Sequence, residues 1–202
     1  IGESYFNLER YAEAIPYLKA YKGKKGKWIN TDYYQLGYAY YKQEDYKTAI
    51  SYFNKIVDEK NEVSQNAYSH LGECYLKLDQ KIEALNAFRS ASEMTFNQKI
   101  KQDAALNYAK LSYDAGNPFE SVAVVLKRFL KNYPKSSSYK EINNLLVSSY
   151  IHQQDYEGAL QFLSEKKTQE NRALILEVSL YRGIQLFNEK KLEIALPFFS
   201  NS

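Results

Sequence analysis

The chain has 202 residues, 45% of them hydrophobic and 25% charged, with a formal net charge of +3. That length suits one domain or one elongated repeat array, and so mild a charge makes no electrostatic case for nucleic acid. The single cysteine, Cys74, excludes an internal disulfide and a cysteine-built metal site, and no apolar run reaches the ~20 residues that a membrane-spanning helix needs.

Gly (8) and Pro (4) are scarce and Tyr (20) is abundant, which favours long helices over short strands and tight turns. The chain opens on Ile1-Gly2, Tyr5, Ala14 and Leu18. The same figure returns as Leu36-Gly37, Tyr40, Ala49 and Phe53, and again as Leu71-Gly72, Tyr75, Ala84 and Phe88. A worn fourth copy reads Tyr108-Ala109, Ser112, Val122 and Leu126, with one extra residue in its turn. A fifth is Leu146-Val147, Tyr150, Ala159 and Leu163, and a sixth is Gly183, Leu186, Ala195 and Phe199. The alanine-type position falls at 14, 49, 84, 122, 159 and 195, with successive gaps of 35, 35, 38, 37 and 36. Constant spacing of this kind marks an internal repeat.

Each copy reads as two helices. In the second, Tyr33, Leu36, Gly37 and Tyr40 form one helical stripe, and Ala49, Ile50, Phe53 and Ile56-Val57 form another. The turn between them, Lys42 to Asp45, ends on an N-cap aspartate, and Asp155 stands at the same place in the fifth copy. In the fourth copy Asn117 is read as the cap with Pro118 at the first helical position. Pro16 and Pro197 follow the key alanines closely and should kink the second helix or delay its start. Small residues at Gly37, Gly72, Ala109, Ala49, Ala84 and Ala159 let the two helices cross closely.

A period near 34 with Leu-Gly, Tyr, Ala and Phe at these offsets resembles the tetratricopeptide repeat. Pro134 in "NYPKSS" falls where that family often ends its second helix, and Tyr33 and Tyr68 replace its early tryptophan. The resemblance implies an all-α, right-handed α-solenoid of antiparallel helix pairs, about six repeats with incomplete ends, and no enzyme. The copies run roughly over 1–29 (partial), 30–64, 65–101, 102–139, 140–175 and 176–202 (partial) of a single array. Uncapped ends lead us to expect a segment of a longer protein, able to self-associate through those ends. The phrase "FLKNYPKSSSYKEINNLLVSSYIHQQDYEGAL" also resembles tetratricopeptide proteins of the bacterial cell envelope, which implies periplasm or envelope over cytoplasm.

Little in the chain carries chemistry. Cys74 lies one helical turn from His70, the one pairing that suggests a nucleophile and base, but a buried, inert thiol is the simpler reading. His70 and His152 are too far apart to share a metal. "GKKGK" at 23–27 lacks the spacing of a phosphate loop and reads as a solvated linker, with a basic patch beside Trp28 as the alternative. Glu9/Glu13 and Glu189/Glu193 read as solvated helix faces. No catalytic, metal or cofactor site is expected.

In such an array the first helices line a concave face, which is the usual binding surface. Residues two before and two after each Leu-Gly pair point to it. They are Tyr34 and Tyr38, with Tyr41 one turn on; then Asn66, Ser69 and Glu73; then Leu106, Lys110 and Tyr113; then Asn144, Ser148 and His152. Tyrosine suits a half-wet contact surface because its ring is large and its hydroxyl stays hydrogen-bonded. The face is expected to hold a protein or peptide ligand, and Tyr38→Ala to weaken that ligand while barely altering stability. Chaperone-binding members of the family grip a C-terminal carboxylate with Lys, Asn and Arg, whereas Tyr34, Tyr38, Ser69 and Glu73 stand here, so that role is disfavoured. The alternatives are the non-catalytic arm of a larger enzyme or envelope-assembly protein, and a nucleic-acid-binding helical repeat. Nucleic acid is not expected, because the polar base-reading pairs are missing and the charge is nearly balanced.

Overall fold

The computed structural model describes residues 1–165 and 169–200. Among them the regular elements are twelve helices and one isolated antiparallel bridge, Lys24 to Lys27. The helices are α1 (Gly2–Asn7), α2 (Tyr11–Ala20), α3 (Asn30–Lys42), α4 (Tyr46–Phe53), α5 (Glu62–Lys77), α6 (Lys81–Glu93), α7 (Gln98–Ala115), α8 (Val122–Asn132), α9 (Tyr139–His152), α10 (Tyr156–Ser164), α11 (Gln169–Asn188) and α12 (Leu192–Ser200). Two compact units divide the chain, Ile1–Phe119 and Glu120–Ser202. In the first, α1/α2, α3/α4 and α5/α6 are stacked hairpins, and α7 packs on α6. In the second, α8 packs on α9, followed by α9/α10, α10/α11 and α11/α12. The architecture in each is an α-solenoid of helix pairs.

The repeated residues explain the hairpins. Ala14, Ala49, Ala84 and Ala159 are fully buried, and Ala195 nearly so. Each is the fourth residue of its helix and admits the crossing partner. A methyl group on Gly37 would sit 2.9 Å from the Phe53 ring, and one on Gly183 would sit 2.9 Å from Phe199. In the fifth copy the pair is Val147 with Leu163, both buried, so a larger first-helix residue accompanies a smaller second-helix one.

The turns inside the hairpins share one backbone device. Glu9, Glu44, Asp79, Gln154 and Lys190 all have φ between 56° and 61°. The next N–H then reaches back to a carbonyl in the last turn of the first helix: Arg10 to Tyr5 (2.9 Å), Asp45 to Tyr40 (3.0 Å), Gln80 to Tyr75 (2.8 Å), Asp155 to Tyr150 (2.9 Å) and Lys191 to Leu186 (2.9 Å). This is a Schellman closure made with ordinary side chains in the left-handed region, where glycine is the usual choice. The side chain of Asp45 then accepts from Thr48 N (3.1 Å) and that of Asp155 from Gly158 N (2.9 Å), as N-caps should.

The fourth copy departs from the expected reading. Helix α7 ends at Gly116 (φ 75°), and α8 begins only at Val122 with Ser121 at its cap position. Asn117 therefore caps no helix: its amide donates to Tyr108 Oη (2.8 Å) and Ser112 Oγ (2.9 Å) and accepts from Phe119 N (2.9 Å). Pro118 lies in a bend, not at a first helical position. The longer loop shifts the register, so buried Val125 and Phe129 take the fourth and eighth positions of α8 and Val122 is only half-buried. The motif residues of this copy are thus Val125 and Phe129, not Val122 and Leu126, although Leu126 is buried too.

Pro16 and Pro197 lie inside α2 and α12, which start on time despite them. Helix α4 stops at Phe53, and Ile56 reaches the core from a turn, its N–H on Phe53 O (3.1 Å). Pro134 follows the end of α8, where a helix-ending proline was expected. The 23–27 linker is a tight turn whose Trp28 folds back to donate Nε1–H to Tyr21 O (2.6 Å).

Polar clamps fasten successive hairpins in the first unit. Gln65, fully buried, donates Nε2–H to the carbonyls of Ala91 (3.1 Å), Met94 (3.1 Å) and Asn97 (3.2 Å) and accepts from Asn97 N (2.7 Å). Asn97 in turn caps α7 through Lys99 N and Ile100 N and donates to Glu62 (3.1 Å). One turn earlier in the array, Asn30 and Asn61 both donate to Glu59.

Candidate partner-binding face

The first helices α3, α5 and α7 touch in succession within the first unit. Tyr34, Tyr38 and Tyr41 follow i, i+4, i+7 along α3, so they share one face of it. Tyr38 is the hub. Its ring centroid is 5.8 Å from Phe6, 5.6 Å from Tyr11, 6.0 Å from Tyr34, 5.9 Å from Tyr41 and 5.1 Å from His70. The Lys42 ammonium sits 5.4 Å from the same ring. One tyrosine thereby joins α1, α2, α3 and α5. This overturns the expectation that its loss would barely alter stability.

His70 of α5 is the second centre. Its side chain is 19% exposed and lies against Tyr34 (6.1 Å), Tyr41 (5.1 Å) and Phe53 (5.8 Å) as well as Tyr38. Its Nδ1 is 3.0 Å from Glu73 Oε2. Burial pushes the Glu73 carboxyl up, but the hydrogen bond and charge of His70, the hydrogen bond from Tyr41 and the charge of Lys42 outweigh it and leave it below the ordinary value. Burial, reinforced by neighbouring phenols and by Glu73, holds the Tyr34 hydroxyl protonated, and burial plus the bond to Glu73 does the same for Tyr41. The face is therefore a set of neutral phenols around one shielded carboxylate.

Asn66 is half-buried and donates to Glu62 O of its own helix (3.2 Å), and Ser69 is half-buried on α5. Leu106, Lys110 and Tyr113 are half-buried and recur along α7. Asn144, Ser148 and His152 belong to α9 of the second unit, with Ser148 half-buried and the other two exposed. Of the set, Tyr34, Tyr38, Tyr41 and Glu73 are drawn into one contact network. Phe6, Tyr11 and Lys42 belong to that network too; Phe6 and Tyr11 escape a rule that counts outward from Leu-Gly because the first hairpin reaches in from before it, and Lys42 because it closes α3 one turn beyond Tyr38.

Cys74 is buried beside this network, and burial, with the charge of Glu73, pushes its thiol up to about 12. His70 is engaged with Glu73, so the thiol has neither the ionised form nor the base that a nucleophile needs. Among the described residues no cluster of His, Cys, Asp and Glu could hold a metal, and no helix is long and apolar enough to cross a membrane. A second aromatic column runs through Trp28, with Tyr33 at 5.0 Å and Tyr52 at 6.4 Å, and Tyr52 stacks on Tyr40 at 5.7 Å and 6°. Tyr40 and Tyr52 pack against the core of the first two hairpins.

Stacked helix hairpins that expose their first helices define a helical-repeat protein, a class that presents extended surfaces for protein–protein interaction. Two family models match the chain: residues 26–91 fit that of anaphase-promoting complex (cyclosome) subunit 3, and residues 103–136 fit that of the tetratricopeptide repeat. The C-terminal part of a TPR repeat-containing protein from Cytophaga hutchinsonii superposes with a TM-score of 0.56 at 15% identity, covering 99% of this chain and 76% of that one. A kinesin-light-chain-type protein of Podosopora anserina with nearly identical TPR-like repeats superposes at 0.54 and 13% identity, covering 94% and 93%. No curated protein matches the chain in sequence. The chain thus carries a tetratricopeptide repeat at residues 103–136, and its fold is that of tetratricopeptide-repeat solenoids.

Proposed function

We propose that the chain is a non-enzymatic scaffold that binds a protein or peptide segment on the aromatic face of α3 and α5. The observation that carries this reading is the network of half-buried tyrosines around Tyr38 and His70, with Glu73 as its one ionised acid. Neutral phenols offer wide contact area, little rotamer entropy to lose and hydroxyls that can still pair with a peptide backbone. Glu73 gives the face one negative charge, suited to a ligand that brings a cation. Tyr41, at the end of the row and beside Tyr46 (6.1 Å), is the ring best placed to touch a ligand without anchoring the first hairpin.

Selection of peptides from a random library against the purified chain, followed by calorimetric titration of the best binder, tests this. Tyr41→Ala and Glu73→Gln should each weaken that binder about tenfold or more, the scale of a contact residue at a small interface. Selected peptides that bind both variants undiminished would place the partner elsewhere. A nucleic-acid role would appear as tight filter binding that falls steeply with salt; a carboxylate at the centre of the face argues against it.

A further inference from the structure

The second unit contains a cleft of about 410 Å³ among α8, α9, α10 and the start of α11. Leu130 and Phe162 form apolar walls. Lys127 and Lys131 line it from successive turns of α8, and the Lys127 ammonium lies 5.2 Å from the Tyr150 ring. One acid, Glu165, lines it as well.

Asn143 of α9 makes this more than a surface dent. It is 7% exposed and lines the cleft, and among the described residues its amide makes no hydrogen bond. No fully sealed side-chain nitrogen or oxygen lacks a partner among those residues, so this amide opens on the cleft space. The other buried amide there, Asn171, donates to Leu163 O (3.4 Å). At 7% exposure the amide reaches only the cleft, so what fills the cleft is its source of hydrogen-bond partners, and leucine at that position would take none. An amide retained there needs something to bond.

We propose that this cleft binds a singly charged carboxylate carried on an apolar body. The charge sits with Lys127 and Lys131, one carboxylate oxygen accepts from the Asn143 amide nitrogen, and the body lies on Leu130 and Phe162. Two lysines against one glutamate favour a monoanion over a phosphate dianion, and Leu130, Pro134 and Phe162 give an organic body an apolar wall beside the polar groups of Tyr139, Asn143 and Asn171. A free organic acid and the end of a peptide chain present the same group. The site owes nothing to the aromatic face of the first unit, and the two stand or fall separately.

Calorimetric titration of the whole chain with phenylacetate, N-acetylphenylalanine, neutral phenylacetamide and inorganic phosphate decides it, with the Asn143 side-chain amide followed by NMR. Saturable binding of an acid that shifts the Asn143 amide, with phenylacetamide and phosphate inactive, is expected. Preference for phenylacetate assigns a free acid as the natural ligand; preference for N-acetylphenylalanine assigns a chain end. Lys131→Gln and Asn143→Leu should each lower affinity at least tenfold, and Asn143→Leu should melt no lower than the unaltered chain. Equal binding of phenylacetamide, tighter binding of phosphate, no saturation at millimolar acid, undiminished binding by Asn143→Leu, or a lower melting point for that variant would each overturn the proposal.

Discussion

A methyl group on Gly72 would stand 2.5 Å from Cε1 of Phe88, well inside contact distance. The two residues are made for each other: the missing side chain of one is the space filled by the ring of the other. Gly72→Ala should therefore destabilise the chain by about 1–3 kcal/mol through overpacking. Pairing it with Phe88→Leu should recover part of the loss, because Val147 with Leu163 already shows that a trade of volume is tolerated. Denaturant unfolding of the two single variants and the double variant would show non-additivity if the contact is as described.

Tyr38→Ala removes a ring that touches the first, second and third hairpins. For a half-buried aromatic hub the loss should be about 1.5–3 kcal/mol, short of the full cost of a core phenylalanine. Tyr41→Ala should cost distinctly less, and comparing the two melting points separates the anchor from the contact residue.

Gln65→Leu keeps volume but deletes every hydrogen bond that Gln65 makes to the Ala91–Asn97 connection. Unpaired buried carbonyls and the Asn97 N–H should make it about 1–3 kcal/mol less stable. Hydrogen exchange of the Asn97 amide should quicken well beyond that of its neighbours.

Glu44→Gly should raise stability by about 0.5–1 kcal/mol, since glycine occupies the left-handed region without the steric cost borne by glutamate. Glu44→Val should lower it, because a branched side chain fits that region worst. The two shifts in melting point should have opposite signs.

The Glu73 carboxyl lies below its ordinary value in the folded chain, chiefly through His70 once burial is overcome. A depressed folded value contributes stability that is complete above the unfolded value of ~4.3 and is lost as pH falls through the folded one. Unfolding followed from neutral pH into acid should thus show part of its decline from this group, and Glu73→Gln should flatten that part of the curve.

The hairpins were legible because close helix crossing leaves few choices. Leu36, Gly37, Ala49 and Phe53 must be small or large where they are, and the pattern repeats wherever the crossing repeats. The fourth copy resisted for a physical reason. Once Gly116 ends α7, the chain is free to take a longer loop, and Asn117 looks like a cap in sequence while serving Tyr108 and Ser112 in space. The row of Tyr34, Tyr38 and Tyr41 could be read from its period of one helix face. That Tyr38 also holds Phe6 and Tyr11 could not, because that contact comes from a neighbouring hairpin. Gln65 and Asn143 were silent for the same reason: a buried amide announces itself only through what surrounds it.

Trp28 is the one tryptophan of the chain, and it is set between Tyr33 and Tyr52 with its indole N–H on the Tyr21 carbonyl. Its emission is a built-in optical reporter for the first two hairpins alone, while the second unit has only tyrosines to signal with. Tracking tryptophan emission against far-ultraviolet dichroism through one denaturant series therefore asks whether the two units melt as one. Coincident curves would make the chain a single cooperative body, and separated ones would give each unit its own midpoint without any label being added.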